Sequence, residues 1–233
     1  GFWLFIVAAF TSHLGFWIRQ IGKSWLLYHD LAEGDERWLG LDAFALGLPV
    51  VLLLPLGGAL ADRFDRRWLM GLTYTGNAII WTALGVITMT GHVRIGHIIA
   101  TSLLSSTLEG IRIASYQALY PQLVDRHDLP KAIALNSTQF QTSRVIGPAI
   151  GGVVSLLLGA AACFFIFAGG CVVMIATMAM LRRLPHDDQH RHESVRHKLV
   201  AGGRYIRSRP DIMAMLLLIV LAGLAALWAV EVR

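Results

Sequence analysis

Two long apolar runs separated by a short charged turn constrain most strongly what this chain can fold into. Segments 43–61 and 68–90 contain no charged residue, and the six residues 62–67 separate them. Each segment is long enough to cross the ~30 Å hydrocarbon core of a bilayer as a helix. Because six residues cannot return across that core, both helix ends must lie at the same membrane surface. The sequence therefore predicts a transmembrane helical hairpin.

The composition of the whole chain indicates the same class of protein. Hydrophobic residues make up 55% of the 233 residues and charged residues only 15%, whereas about a quarter of the residues of a soluble domain are charged. The formal net charge of +5 does not indicate nucleic-acid binding, because the positive residues are concentrated in particular connections. We therefore expect a protein of the lipid bilayer with no nucleic-acid partner.

Hydropathy predicts seven transmembrane helices and three parts of the chain. A six-helix bundle is expected over 1–181, a basic cytoplasmic linker containing an amphipathic helix over 182–211, and a seventh helix over 212–233. Since the chain begins and stops next to apolar segments, we expect it to be a fragment. The predicted helices span approximately 2–28, 39–61, 68–90, 95–120, 132–158, 160–181 and 212–230.

The distribution of lysine and arginine predicts the orientation in the membrane. Thirteen of these residues lie in the connections after helices 2, 4 and 6, and two lie in the connections after helices 1, 3 and 5. Positive connections stay on the cytoplasmic side. We expect a multi-pass protein of the plasma membrane, the inner membrane in a bacterium, with its N-terminus in the cytoplasm.

The charged turn resembles the loop between helices 2 and 3 of the major facilitator superfamily, which reads Gly-x-x-x-Asp-Arg-x-x-Arg-Arg. The resemblance implies a gating loop in which Asp62 docks against a helix end in the other half of the transporter. The arginines are expected either to pair with Asp125 and Asp128 or to act only as topology signals. The residues at the pattern positions are Gly58, Asp62, Arg63, Arg66 and Arg67.

Predicted helix 5 contains a second pattern, Gly147, Pro148, Gly151 and Gly152. It resembles the antiporter motif Gly-Pro-x-x-Gly-Gly of the drug exporters of that superfamily. Glycines four residues apart let another backbone approach closely, and proline bends a helix. The fuller exporter pattern has glycines at two positions where this chain has Ala134 and Ser143.

The remaining sequence resembles the enterobactin-exporter and macrolide-efflux branch of the superfamily. That resemblance implies an all-α membrane protein covering the N-terminal six-helix bundle of a twelve-helix transporter and its seventh helix, with the missing C-terminal half as its partner. One stretch departs from the branch, because 112–116 lacks the usual Asp-x-Pro-x-Arg. The resemblance is carried by segments 61–67, 117–124, 128–132, 134–137, 144–152 and 203–206.

Charged and titratable side chains inside predicted helices are the candidates for chemistry, since each charge in hydrocarbon costs about 3 kcal/mol or more. His13 and Glu109 are expected at the same depth, ~20 Å from the outer helix ends. We hypothesise that Glu109 binds the coupling proton and that His13 or Arg19 tunes its pKa. The alternative is a fixed ion pair of Glu109 with Arg112. The full set is His13, Arg19, Lys23, Glu109, Arg112 and Arg144.

Two further sets of residues carry open alternatives. Arg144 is expected either to act at the seam or cavity, or to donate hydrogen bonds to the carbonyls that Pro148 leaves free. Trp17, Trp81 and Phe140 are expected either to line a cavity for an aromatic substrate or to be packing and lipid-facing residues.

These observations predict a secondary active exporter that moves an amphipathic small molecule, such as a drug, macrolide or siderophore, in exchange for protons. No phosphate-binding loop, metal-ligand spacing or nucleophile elbow is present, so we expect no enzyme activity, no cofactor and no metal. The histidines of the linker also lack a ligand spacing. Two alternatives are a non-transporting sensor or scaffold with the same fold and an importer of the same superfamily.

Overall fold

The computed structural model describes residues 1–181, and the fold in this range is entirely helical. The predicted linker, 182–211, and the predicted seventh helix, 212–233, lie outside the described residues. A π-helical turn over Leu26–Leu31 extends the first helix, and a 3₁₀ turn over Tyr120–Leu123 follows the fourth. The helices are α1 Phe2–Trp25, α2 Arg37–Arg63, α3 Arg66–Met89, α4 Ile95–Leu119, α5 Leu129–Leu158 and α6 Ala160–Met180.

All six helices predicted within this range are present, which confirms the all-α fold. Five of them are long and apolar enough to cross a membrane. The fourth is of similar length but more polar, and it turns its buried serines, among them Ser102, Ser105 and Ser106, into the bundle. Helix α5 begins three residues earlier than predicted, because Pro130 fits the first turn, where no backbone N–H is needed.

The helices pack as a chain of neighbours in which α2 contacts α4, α4 contacts α3, α3 contacts α6, α6 contacts α1, and α1 contacts α5. Aromatic and sulfur-containing side chains dominate the core, including Phe5, Met70, Trp81, Phe164 and Met174. Helices α1 and α4 meet through side chains, for example where Phe5 stacks on Tyr116 with ring centroids 5.3 Å apart, and a space remains between the two helices beside α5.

Two arginines of the charged turn, Arg66 and Arg67, bind helix ends and not Asp125 or Asp128, which were one of the two alternatives. Arg66 donates to the Ala61 and Ala118 carbonyls, both at 3.2 Å, and Arg67 donates to the Met178 carbonyl at 2.5 Å. Asp128 pairs instead with Lys131 at 3.1 Å. The reason is that α2, α4 and α6 all end beside this turn, and carbonyls in a last helical turn lack intrahelical partners.

The other residues of the turn complete a tight connection between α2 and α3. Asp65 caps α3, its carboxylate accepting the backbone N–H of Arg67 at 2.9 Å. Asp62 lies partly buried in the last turn of α2, and Arg63 is exposed. The docking of Asp62 against another half of a transporter stays a prediction.

Only some of the glycines in the two motifs stand at close helix contacts. In α5, a Cβ on Gly147 would lie 2.4 Å from the Trp17 Cβ, and one on Gly151 would lie 2.9 Å from the Ile18 carbonyl oxygen. The helix that approaches these two glycines is therefore α1. Within the described range, a Cβ on Gly58 or Gly152 would meet no atom within 4 Å.

The close contact near the charged turn is made by a glycine that the motif does not include. A Cβ on Gly57 would lie 2.6 Å from the Gly110 carbonyl oxygen, so α2 and α4 touch backbone to backbone at this level. Small residues allow such contacts between membrane helices. This contact holds α4 in place beside the space that faces α1.

Candidate functional site

A cavity of about 670 Å³ lies where α1, α4 and α5 meet. Helix α1 contributes His13 and Trp17 to its wall, α4 contributes Glu109 and Arg112, and α5 contributes Phe140. The wall therefore combines aromatic rings with an acid, a base and a histidine. Pockets of roughly 300–1,000 Å³ with this mixture of apolar walls and a few polar groups are typical of small-molecule sites.

Glu109 and Arg112 form an ion pair on the cavity wall, one helical turn apart. Arg112 Nε donates to the Glu109 carboxylate at 2.8 Å and Arg112 Nη2 donates to its other oxygen. Arg112 Nη1 also donates to the Tyr74 hydroxyl at 3.2 Å, and Ser12 shares a hydrogen bond with that hydroxyl. The fixed ion pair, which was the alternative to proton binding by Glu109, is thus formed. The hydrogen-bonded side chains Tyr74 of α3 and Ser12 of α1 hold Arg112 in place.

His13 shares the cavity with Glu109 but is oriented by α5. Its Nδ1 lies 3.3 Å from Gln139 Oε1, and Gln139 in turn donates to Asn136 at 3.1 Å. The imidazole packs edge-on against Tyr116 and Phe140, with ring centroids 5.6 and 5.1 Å away. His13 is therefore a positioned polar group in the wall, and its hydrogen-bond partner within residues 1–181 is Gln139 and not Glu109.

Arg19 does not line this cavity, and its hypothesised role in tuning Glu109 stays a prediction. Its guanidinium carbon lies 4.0 Å from the Trp81 ring centroid, 4.4 Å from that of Phe167 and 4.6 Å from that of Phe16, and Arg19 is only 2% exposed. Six residues after His13 correspond to about 240° around the helix axis, so Arg19 faces α3 and α6. The faces of the three rings stabilise the buried cation.

The aromatic residues proposed for the cavity separate for the same reason. Trp17 and Phe140 line it, whereas Trp81 is fully buried against Arg19 and donates its indole N–H to Ser105 at 3.0 Å. Trp81 is thus a packing residue, the alternative that the sequence left open.

A second buried ion pair was missed by the sequence reasoning. Lys23 Nζ donates to Asp42 Oδ2 at 2.5 Å and to Ser102 Oγ at 3.2 Å, and Ser102 donates to Asp42 Oδ1 at 2.5 Å. Lys23 is 0% and Asp42 4% exposed, so this cluster ties α1, α2 and α4 together in the interior. Asp42 was overlooked because it stands near the acidic connection before helix 2. The sequence did contain a signal, because Lys23 lies near the end of predicted helix 1 and Asp42, of opposite charge, lies near the start of predicted helix 2.

Arg144 lies on α5 at the rim of the cavity, one helical turn after Phe140. It is exposed, and its guanidinium carbon is 5.8 Å from the Trp17 ring centroid. Within residues 1–181 it donates no hydrogen bond to the carbonyls near Pro148 and forms no ion pair. The alternative in which Arg144 satisfies carbonyls freed by the proline is therefore not formed in this part of the chain.

Comparison with known families identifies the fold to which this cavity belongs. The profile of the transmembrane secretion effector family matches residues 2–231. The chain belongs to this family. Its members are transporters of the major facilitator superfamily and not enzymes, which confirms the resemblance to that superfamily.

Individual members of the family show the same relationship. The chain is 31% identical to the staphyloferrin A transporter of Staphylococcus aureus over 173 residues, which cover 70% of this chain and 42% of that protein. It is 26% identical to the enterobactin exporter EntS of Shigella boydii over 184 residues, 78% of this chain and 44% of that protein. The matched part of the chain therefore covers less than half the length of each of these two relatives.

Proposed function

We propose that this chain forms the N-terminal bundle of a proton-coupled exporter that moves an amphipathic small molecule out of the cytoplasm by alternating access. In this proposal the N-terminus is cytoplasmic, and the rest of the transporter closes the cavity from the other side. The superfamily membership and the names of the relatives, one a staphyloferrin A transporter and the other an enterobactin exporter, support this function.

The observation that carries the proposal is a carboxylate inside a membrane helix that opens onto the aromatic cavity. Glu109 is neutralised by Arg112, and the two side chains keep 20% and 13% exposure. When a proton binds the Glu109 carboxylate, the ion pair is lost and the Arg112 guanidinium needs another partner. A bound proton and a bound cargo molecule then stabilise different states of this site, and the exchange of one for the other requires such a difference.

The cavity wall favours a cargo with aromatic and polar parts. Trp17, Phe140 and Tyr116 offer rings against which an aromatic group can pack, and His13 and Asn136 offer hydrogen bonds. We propose a siderophore-like molecule as the cargo, in agreement with what the two relatives are named for.

Replacing Glu109 by glutamine tests the proton coupling. The amide keeps the size of the side chain but cannot accept a proton and release the arginine. In inverted vesicles that carry the full-length transporter, we expect proton-gradient-driven uptake of enterobactin to fall roughly tenfold or more, equivalent to about 1.4 kcal/mol. The residual flux should not respond to collapse of the gradient.

The matched control is Glu36→Gln, because Glu36 is an exposed glutamate just before α2. This variant should transport like the wild-type protein. A Glu109→Gln protein whose transport depends on the gradient as strongly as wild type would contradict the coupling role. A wild-type protein that accumulates neither enterobactin nor staphyloferrin A in response to a gradient would favour the sensor or scaffold.

A further inference from the structure

Arg144 lies near the middle of α5, one of the helices long and apolar enough to cross a membrane. It stands fifteen residues after the start of α5 at Leu129 and fourteen before its end at Leu158, and its side chain is exposed. A charged side chain at the centre of a membrane helix costs about 3 kcal/mol or more unless it faces water or an opposite charge. The Arg144 guanidinium therefore needs water or an anionic group as its partner.

The interior carboxylates of residues 1–181 do not supply that partner. Glu109 is held by Arg112, and Asp42 is held by Lys23 and Ser102. The other helical acids lie at helix ends and not near the middle of a span: Asp62 is in the last turn of α2 and Asp30 is in the π-helical turn after α1. In this part of the chain the Arg144 guanidinium lies over the Trp17 ring, 5.8 Å from its centroid.

The spacing along α5 places Arg144 at the rim of the cavity. Ser137, Phe140 and Gln141 line the cavity, and Arg144 follows them by seven, four and three residues. Residues at these spacings share one face of a helix. Trp17, which lies beneath the guanidinium, lines the cavity too.

We infer that Arg144 binds the anionic group of the cargo, and that the cargo is an aromatic anion. This inference rests on the proposed transport function and specifies its substrate class. A guanidinium binds a carboxylate through two parallel hydrogen bonds, while Trp17 and Phe140 present rings for the attached aromatic group. Arg112 is less suited to this role, since the Glu109 carboxylate already occupies its donors.

Equilibrium binding to the purified full-length transporter tests the inference without any gradient. The probes are salicylate, which is an anion at neutral pH, and salicylamide, its neutral amide of nearly the same shape. Wild type should bind salicylate at least roughly tenfold more tightly than it binds salicylamide. Arg144→Gln should lose this preference and keep its affinity for salicylamide, and Arg144→Lys should keep part of the preference, because it retains the charge but not the planar fork.

The matched control is Arg126→Gln, which removes an exposed arginine from the connection between α4 and α5. It should bind both probes like wild type. The inference is overturned if wild type does not prefer the anion, as expected if an acid in the rest of the transporter neutralises Arg144. It is also overturned if Arg144→Gln keeps the preference, or if it loses both probes equally.

The binding and transport results separate the inference from the proposed function. Selective anion binding without gradient-driven transport would overturn the proposed exporter and leave the role of Arg144 in place. Proton-driven transport by a protein that shows no preference for the anion would overturn the role of Arg144 and leave the proposed exporter in place.

Discussion

Replacing Lys23 by methionine is expected to destabilise the full-length transporter by about 3–5 kcal/mol, because Asp42 is then left as a buried charge without its partner. Asp42 is 4% exposed, and its second oxygen is held by Ser102. The measurement is the free energy of unfolding in detergent micelles titrated with denaturant, together with the amount of protein inserted in the membrane.

Two controls make this test specific. The double variant Lys23→Met with Asp42→Leu removes both charges and should recover much of the lost stability, since apolar residues often replace a buried ion pair without loss. Arg37→Met breaks an exposed pair with Asp35 and should leave stability unchanged. Hydrogen bonds from Arg37 hold the pKa of Asp35 below its ordinary value, so that control pair is charged at neutral pH. A Lys23→Met protein as stable as wild type would show that Lys23 and Asp42 do not form an ion pair in the membrane.

Adding one methyl group at Gly147 is expected to destabilise the protein by about 1–3 kcal/mol, because it overpacks the contact of α5 with α1. The new Cβ would lie 2.4 Å from the Trp17 Cβ, an atom so close to the backbone that a rotamer change cannot move it away. The measurement is the unfolding midpoint of Gly147→Ala in the full-length protein.

Gly152→Ala is the matched control in the same motif. A Cβ there meets no atom of the described residues within 4 Å, so the change should be neutral or stabilise the helix by up to about 1 kcal/mol. Equal stability of Gly147→Ala and wild type would contradict the close α1–α5 contact. A destabilised Gly152→Ala would show that another helix of the complete transporter packs at this position.

The helices were predictable because their signal is local. A span of apolar residues must satisfy its backbone hydrogen bonds internally in a bilayer, so α3 could be predicted from 68–90 almost to its observed ends, Arg66–Met89. The observed helix ends differ from the predicted ones where a capping side chain or a proline sets the first residue of the helix. Asp65 caps α3 through its side chain, and Pro130 lets α5 start three residues before the predicted position.

The charged side chains show where local reasoning ends. Glu109 and Arg112 were paired in advance as one alternative, because three residues on one helix are neighbours whatever the rest of the fold does. Lys23 and Asp42 lie on different helices, and only their packing brings the two charges to 2.5 Å. Arg19 was placed by its depth, which the sequence predicts, but its direction around the axis sends it into the rings of Phe16, Trp81 and Phe167.

The amino-acid sequence alone determined the membrane class, the number of helices in residues 1–181 and the superfamily, because apolar length and the two glycine-containing motifs can be read without knowing any contact. Only the tertiary structure decided which helix approaches Gly147 and Gly151. It also decided which charges share the cavity and which carboxylate holds Lys23. The physical reason is that depth in a helix follows from counting residues, whereas partners depend on the rotation of each helix against its neighbours.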